Sequence, residues 1–294
     1  MNTVIIDKKD AVISFETNAL KIDGQSFPYR YIDLLVLNHK ISLQASDILK
    51  LTKEEINILI LSHNNENISL INNGNTKNGE IKLAQYISYS KNLEFANYFI
   101  KHKILHHTEQ LNRNNIDFVC DQELEQLNQS KSIDEVMGIE GAFARKYFQE
   151  YFPLLPKTMH KSRRSKRPPM DPVNAILSFW YSMYYHIITT KLLSYGFEPG
   201  IGYLHAPFRS HNALSSDLLE LFRAEINEAV KYLFANEIVQ LDDFTKKEGV
   251  YLKYEGRKKI WSYFVALADA LRPKLDAEIA NLKRMILGSQ IGYH

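Results

Sequence analysis

The sequence predicts an α+β fold, with a small β-rich, sandwich-like domain over residues 1–80 and a larger all-helical domain over 81–294. Three observations predict it. Short runs of Val, Ile, Leu and Phe crowd the first eighty residues. The segment NNGNTKNGE (72–80) follows, rich in Asn and Gly and empty of large apolar side chains, as an exposed connector would be. Beyond it, apolar residues recur at three- and four-residue steps for most of the chain.

The runs 4–7, 11–17 and 19–24 read as strands broken by turn residues Asn18 and Asp23-Gly24. LLVLN (34–38) and NILILS (57–62) are nearly continuous apolar runs, the pattern of strands covered on both faces, and ISLIN (68–72) adds another. Between them 46–55 reads as a short helix with Ser46 as N-cap. In the second domain one helix is expected over 83–111 and a shorter one over 121–129. Ser132-Ile-Asp-Glu135 is a capping box launching a helix that runs to about Tyr151. Asp171-Pro172 places a cap and an N1 proline before a helix ending near Gly196, apolar nearly all round and therefore central to the core. Further helices fit 214–235 and 255–284, the latter with Pro273 as a potential break.

Composition narrows the function classes. With 45% hydrophobic, 12% aromatic and 24% charged residues, disorder and fibrous folds are excluded. Lys and Arg number 36 against 34 Asp and Glu, so any electrostatic recognition is local. The single cysteine, Cys120, leaves no intrachain disulfide framework and no Cys-based zinc cluster. The N-terminal residues are too charged for a signal peptide. The most apolar stretch, 175–190, falls short of the roughly 18–20 residues a membrane span needs and carries His186. A cytoplasmic protein without a membrane partner is expected.

Four features carry candidate chemistry. Glu140 lies within the helix GIEGAFARKYF, on a face shared with Val136, Phe143, Ala144 and Tyr147. A carboxylate there is paired, protonated or bound to a cation if buried; otherwise it reaches solvent or pairs with Arg145 or Lys146. Gly138 and Gly141 beside it point to a close approach by another backbone or a ligand. His205, in the glycine-flanked loop GYLHAP, is either a ligand or proton shuttle or a structural histidine. Asp217 and Glu220, three apart in SSDLLELFR, project from one helix face. That spacing suits a magnesium or manganese site; it also makes a capping box with Asp217 as N-cap, and it leaves Glu220 placed to pair with Arg223. The tract 157–169 holds Lys157, Lys161, Arg163, Arg164, Lys166 and Arg167 with no acid between Tyr151 and Met170. It reads as a flexible loop, either neutralising phosphates or simply solvated.

GIEGAFARKYF (138–148), RPPMDPVNAILSFWYSMYY (167–185), FEPGIGYLHAP (197–207) and SSDLLELFR (215–223) occur in one order. That order resembles the CRISPR-associated adaptation endonuclease family, the universal Cas integrase of spacer acquisition. The resemblance implies a β-rich N-terminal domain for dimerisation and DNA contact and a helical catalytic domain. By motif position the family's metal ligands fall on Glu140, His205 and Glu220, and Asp217 matches the acidic residue one turn earlier. Sixty-five residues separate Glu140 from His205 and fifteen separate His205 from Glu220, which suits the pattern. The implied reaction is Mg²⁺- or Mn²⁺-dependent insertion of short DNA fragments into a repeat array by 3′-hydroxyl attack on a phosphodiester. Lys161, Arg163, Arg164, Lys166, Arg167 and Arg209 would bind backbone phosphates. The implied partners are double-stranded and branched DNA, a second copy of the chain in a homodimer, and a small CRISPR-associated subunit bridging two dimers. A non-catalytic DNA-binding scaffold and a general metal-dependent nuclease are the competing readings.

Overall fold

The computed structural model describes residues 3–62, 68–74, 78–208 and 211–288. Two compact units divide the chain: residues 1–75 with Arg257–Arg272, and residues 76–256 with 273–294.

The first unit contains strands β1 (Thr3–Ile6), β2 (Ile13–Phe15), β3 (Ala19–Ile22), β4 (Gln25–Pro28) and β5 (Leu34–Asn38), helix α1 (Ala45–Lys53), and strands β6 (Asn57–Leu61) and β7 (Ile68–Ile71). They form two sheets, β1-β5-β6-β7 and the meander β2-β3-β4. In the larger sheet β5 pairs parallel with β1 and β6, and β6 pairs antiparallel with β7. All five β5 residues are buried, as its unbroken apolar run requires. Leu35, Leu37 and Ile58 of that sheet, Leu20 of the meander and Leu51 of α1 share one core. Asp23 and Gly24, both at positive φ, form the two-residue turn that pairs Ile22 with Gln25. Strand β4, with one inward apolar residue and a proline, gives no strand signal in the sequence. Gln44, not Ser46, caps α1, in a reciprocal box with Asp47. Asp7, just after β1, is buried and accepts from Arg257 Nε at 2.8 Å, Asn38 Nδ2 at 2.8 Å and Trp261 Nε1 at 3.1 Å.

The second unit is helical: α2 (Gly79–Ser88), α3 (Asn92–Arg113), α4 (Asp121–Gln129), α5 (Ile133–Tyr151), α6 (Pro172–Tyr195), α7 (Ala213–Leu219) and α8 (Arg223–Ala235). The helix α9 (Tyr254–Gly288) continues through Pro273 rather than breaking there, and its Arg257–Arg272 segment belongs to the first unit. The helix expected over 83–111 is two, separated by a 3₁₀ turn at Tyr89–Lys91. The hydroxyls of Ser88 and Ser90 donate to the carbonyls of Gln85 and Ile87, competing with helical bonding at the junction. The helix expected over 214–235 is likewise divided by a 3₁₀ turn at Glu220–Phe222. The domain is not wholly helical: β8 (Phe244–Lys246) and β9 (Val250–Leu252) form a hairpin.

The caps of α5 and α6 follow the sequence. Ser132 accepts from Glu135 N, and Asp171 accepts from Asn174 N at 2.8 Å. The reciprocal bond from Glu135 reaches Lys131 N rather than Ser132. Helix α6 ends at Gly196, whose φ of 89° is costly for any other residue. Trp180, Met183, Tyr184 and Ile188 are wholly buried on it. Among the described residues no helix is long and apolar enough to cross a membrane.

Candidate active site

Helix α6 hands the chain to the loop 197–207, and two side chains fix that loop. Gln85 of α2 donates to the carbonyls of Glu198 and Ile201, at 3.0 and 2.7 Å, and accepts from Glu198 N at 2.9 Å. Asp217 of α7, fully buried, takes the other end. Its Oδ2 accepts from Tyr203 N at 2.6 Å and Leu204 N at 3.0 Å, and its Oδ1 from His205 N at 3.0 Å and His205 Nδ1 at 2.7 Å. The approach needs Gly202, where an added Cβ would lie 2.7 Å from Asp217 Oδ2 and from the Ala213 carbonyl carbon. Tyr203 is pinned further by stacking on Phe95 at 4.1 Å and by a 2.7 Å hydroxyl contact with Ser88.

Asp217 therefore caps no helix. It sits inside α7 and organises the histidine loop. With a carboxylate on Nδ1–H, the neutral His205 ring has its lone pair on Nε2, the arrangement that orients a metal-binding histidine. Burial opposes the imidazolium, yet the Asp217 hydrogen bond and charge outweigh it and raise the His205 pKa.

His205, Glu140 and Glu220 line one cavity of about 550 Å³. Glu140 comes from α5, where Val136, Phe143 and Tyr147 on its face are buried as expected. It pairs with neither Arg145 nor Lys146; the latter reaches Glu123 at 3.0 Å. Its partner is Lys103 of α3, whose Nζ also lies 2.6 Å from Glu220 Oε2. Glu220 carries a second cation, Arg223, at 2.8 Å. Burial resists the Glu220 charge, but Arg223 and Lys103 overcome it and hold its carboxyl well below the ordinary carboxylate range. Of the two close approaches expected at Gly138 and Gly141, the one by another backbone is not found among the described residues. Gly138 faces open space, and Gly141 lines the cavity with only the Arg145 side chain near it.

The floor of the cavity is a polar network. Tyr147 donates to Gln110 and accepts from Asn227 Nδ2 at 2.8 Å, Tyr181 donates to the Asn227 side chain, and Tyr151 to its carbonyl at 2.7 Å. Arg223 lies 4.4 Å over the Tyr181 ring.

The basic tract divides. Arg163, Arg164 and Lys166 line the cavity, whereas Lys161 lines a separate pocket beside Asp171 and Phe244, and Arg167 is exposed. Arg164 is turned inward, donating to Asn174 Oδ1 at 2.8 Å and Ser178 Oγ at 3.0 Å, with Tyr181 beneath it at 5.6 Å. The tract is no free loop. Asn174 also accepts from Ser165 N at 3.0 Å and donates to the Arg163 carbonyl at 2.9 Å, while Asp171 accepts from Lys161 N at 3.1 Å. Arg209 lies outside the described residues.

The cavity lining thus holds six basic residues, Lys103, Arg145, Arg163, Arg164, Lys166 and Arg223, against Glu140 and Glu220. That balance suits an anionic ligand such as a phosphodiester. Two carboxylates and an imidazole also make a donor set that Mg²⁺ or Mn²⁺ accepts. Among the described residues no three acidic, His or Cys side chains already stand close enough together to hold an ion, and Lys103 bridges the two carboxylates. The donor types fit; the cation between them here is an ammonium. Lys103 is the residue that sequence reasoning missed. Its signal was a lysine on the buried stripe of α3, with His107 and Gln110 following at helical spacing.

A family model described as CRISPR associated protein Cas1 matches residues 3–265. The CRISPR-associated endonuclease Cas1 1 of Thermodesulfovibrio yellowstonii is 32% identical, over 98% of this chain and 98% of the relative. A CAS1 protein from Thermotoga maritima shares the fold with a TM-score of 0.89 over 98% of this chain and 97% of its own, at 18% identity. A casposase bound to integration product matches with a TM-score of 0.81 and 25% identity, over 91% of this chain and 82% of that one. Agreement that runs nearly end to end, in sequence as in fold, leads to one conclusion: this chain belongs to the CRISPR-associated Cas1 family.

Proposed function

We propose that this chain is the integrase of CRISPR spacer acquisition, a metal-dependent enzyme that joins short DNA fragments into a repeat array. The observation that carries the reading is the cavity in which Glu140, His205 and Glu220, from three separate elements, meet an excess of basic side chains. Membership of a family whose relative is named an endonuclease supports it, as does likeness to a casposase bound to integration product.

In the proposed reaction the 3′-oxygen of an incoming fragment attacks a phosphodiester at the repeat boundary. The attacking hydroxyl gives up its proton as the new P–O bond forms, the bond to the displaced 3′-oxygen breaks, and that oxygen takes up a proton. One phosphodiester replaces another, so no nucleotide cofactor is needed. Glu140, Glu220 and the Nε2 of His205 would hold Mg²⁺ or Mn²⁺. When bound, the ion supplies Lewis-acid polarisation of the scissile phosphate. Asp217 is a positioning residue, fixing the tautomer and direction of the His205 ring. Arg163 and Lys166 would bind the DNA backbone beside the cavity and carry no sequence information, while Arg164 and Arg223 shape its wall. Double-stranded or branched DNA, a homodimer paired through the β-rich unit, and a small CRISPR-associated subunit bridging two dimers complete the proposed assembly.

The test is Mn²⁺-dependent strand joining on a repeat-containing duplex, with and without chelator. Alanine at Glu140, His205 or Glu220 should each abolish joined product. Full activity in Glu140→Ala would remove the assignment, and hydrolysed ends without joined strands would make the enzyme a nuclease outside adaptation.

A further inference from the structure

Lys103 is used by no step of that reaction, yet it stands between the two carboxylates assigned to the metal. Its side chain is 7% exposed, and its ammonium joins carboxylates from two different elements, Glu140 of α5 and Glu220 of the 3₁₀ turn. Arg223, the other cation on Glu220, is anchored on Tyr181 and has a planar fork. Lysine differs in kind: it ends in a compact point charge on a flexible four-carbon stem, and this one lines an open cavity into which the stem can swing.

A divalent ion that takes an oxygen from both Glu140 and Glu220 needs the position between them. The ammonium already lies within hydrogen-bond reach of both, and two cations in that space would repel. We propose that Lys103 is a built-in counter-ion that competes with the divalent metal for Glu140 and Glu220 and is displaced into the cavity when the metal binds. The inference rests on the metal reading above. It assigns Lys103 two effects: it stabilises the metal-free protein by neutralising one buried and one part-buried carboxylate, and it weakens metal binding by the same interaction.

The experiment is Mn²⁺ binding to the full chain, read from the paramagnetic resonance of free Mn²⁺, for the wild type, Lys103→Gln, Lys103→Met, Lys103→Arg and Glu220→Gln. Neutral residues at 103 should tighten Mn²⁺ binding by about tenfold or more, the lower end of the range by which one neighbouring charge moves a carboxylate's proton affinity. Lys103→Arg keeps the charge and should bind no tighter than wild type. In thermal unfolding the neutral variants should melt below wild type in chelator, and Mn²⁺ should raise their midpoint by more than it raises that of wild type. If wild-type binding is lost in Glu220→Gln but neutral variants bind no tighter, the competition is refuted and the metal site stands. Should the neutral variants fail to fold, a tenfold tightening in Lys103→Arg would refute it. If wild-type binding is indifferent to Glu220→Gln, the metal reading falls and this inference with it.

Discussion

Asp217→Asn removes one acceptor from a carboxylate that receives four donors. Each oxygen takes two: Tyr203 N and Leu204 N on Oδ2, His205 N and its ring Nδ1 on Oδ1. An amide nitrogen in either place turns a donor toward two donors, so two hydrogen bonds are lost whichever way the amide is flipped. Hydrogen bonds to a charged group contribute roughly 1.5–3 kcal/mol each, giving about 3–6 kcal/mol as the upper range. The loop limits the cost, because it can open and return its amides to water. A loss of about 3 kcal/mol is therefore expected, within the stability of a typical domain, so the variant folds. Its urea midpoint should fall with little change in slope, and hydrogen exchange at Tyr203, Leu204 and His205 amides should accelerate sharply. Strand joining should fall by about 10–100-fold, the usual effect of removing the partner that orients a metal-binding histidine. A variant within 1 kcal/mol of wild type, with those amides still protected, would refute the placement of Asp217 as the clamp of the loop.

Arg163→Ala and Lys166→Ala should each lower the slope of log binding constant against log salt by about 1, with stability unchanged. Arg164→Ala should instead destabilise the fold, because its donors are already committed to Asn174 and Ser178; an equal slope change in all three would contradict that division. In the β-rich unit, Asp7→Asn breaks the buried ion pair of Asp7 with Arg257 and should cost about 3–5 kcal/mol. Burial works against the Asp7 charge, but Arg257, Asn38 and Trp261 lower its pKa below the unfolded value near 3.8. Its stabilisation is thus complete above that pH and disappears as pH falls through the depressed folded value. Denaturation from pH 6 to 2 should show this acid-side loss in wild type and its absence in Asp7→Asn.

The strands with continuous apolar runs, such as 34–38 and 57–61, are legible because burial on both faces leaves no other composition open to them. So are α5 and α6, whose ends carry a serine cap, an aspartate-proline start and a terminal glycine. Strand β4 is not, since one phenylalanine and a proline cannot display an alternation; it exists because β3 is beside it. The breaks in the helices expected over 83–111 and 214–235 are equally silent, for the apolar spacing runs on through both: at the first, the Ser88 and Ser90 hydroxyls bond to carbonyls three residues back, and at the second, Glu220 is held by Lys103 from another helix. In the site, Glu140 and His205 stand out locally, as a carboxylate in an apolar stripe and an imidazole between glycines. Asp217 misleads. Its spacing to Glu220 imitates a capping box, while its true partners lie 12–14 residues earlier, in a loop whose path only the fold reveals. Lys103 was readable as a charge on a buried stripe, but its two carboxylates lie 37 and 117 residues away in sequence. Distance along the chain hid the pairing.

An anomalous difference map from crystals grown in Mn²⁺ gives the most direct test of the site. The account predicts one strong peak bounded by Glu140, Glu220 and the Nε2 of His205, with the Lys103 ammonium moved off the carboxylates. A peak elsewhere, or a metal-loaded protein in which Lys103 still bridges Glu140 and Glu220, would contradict it.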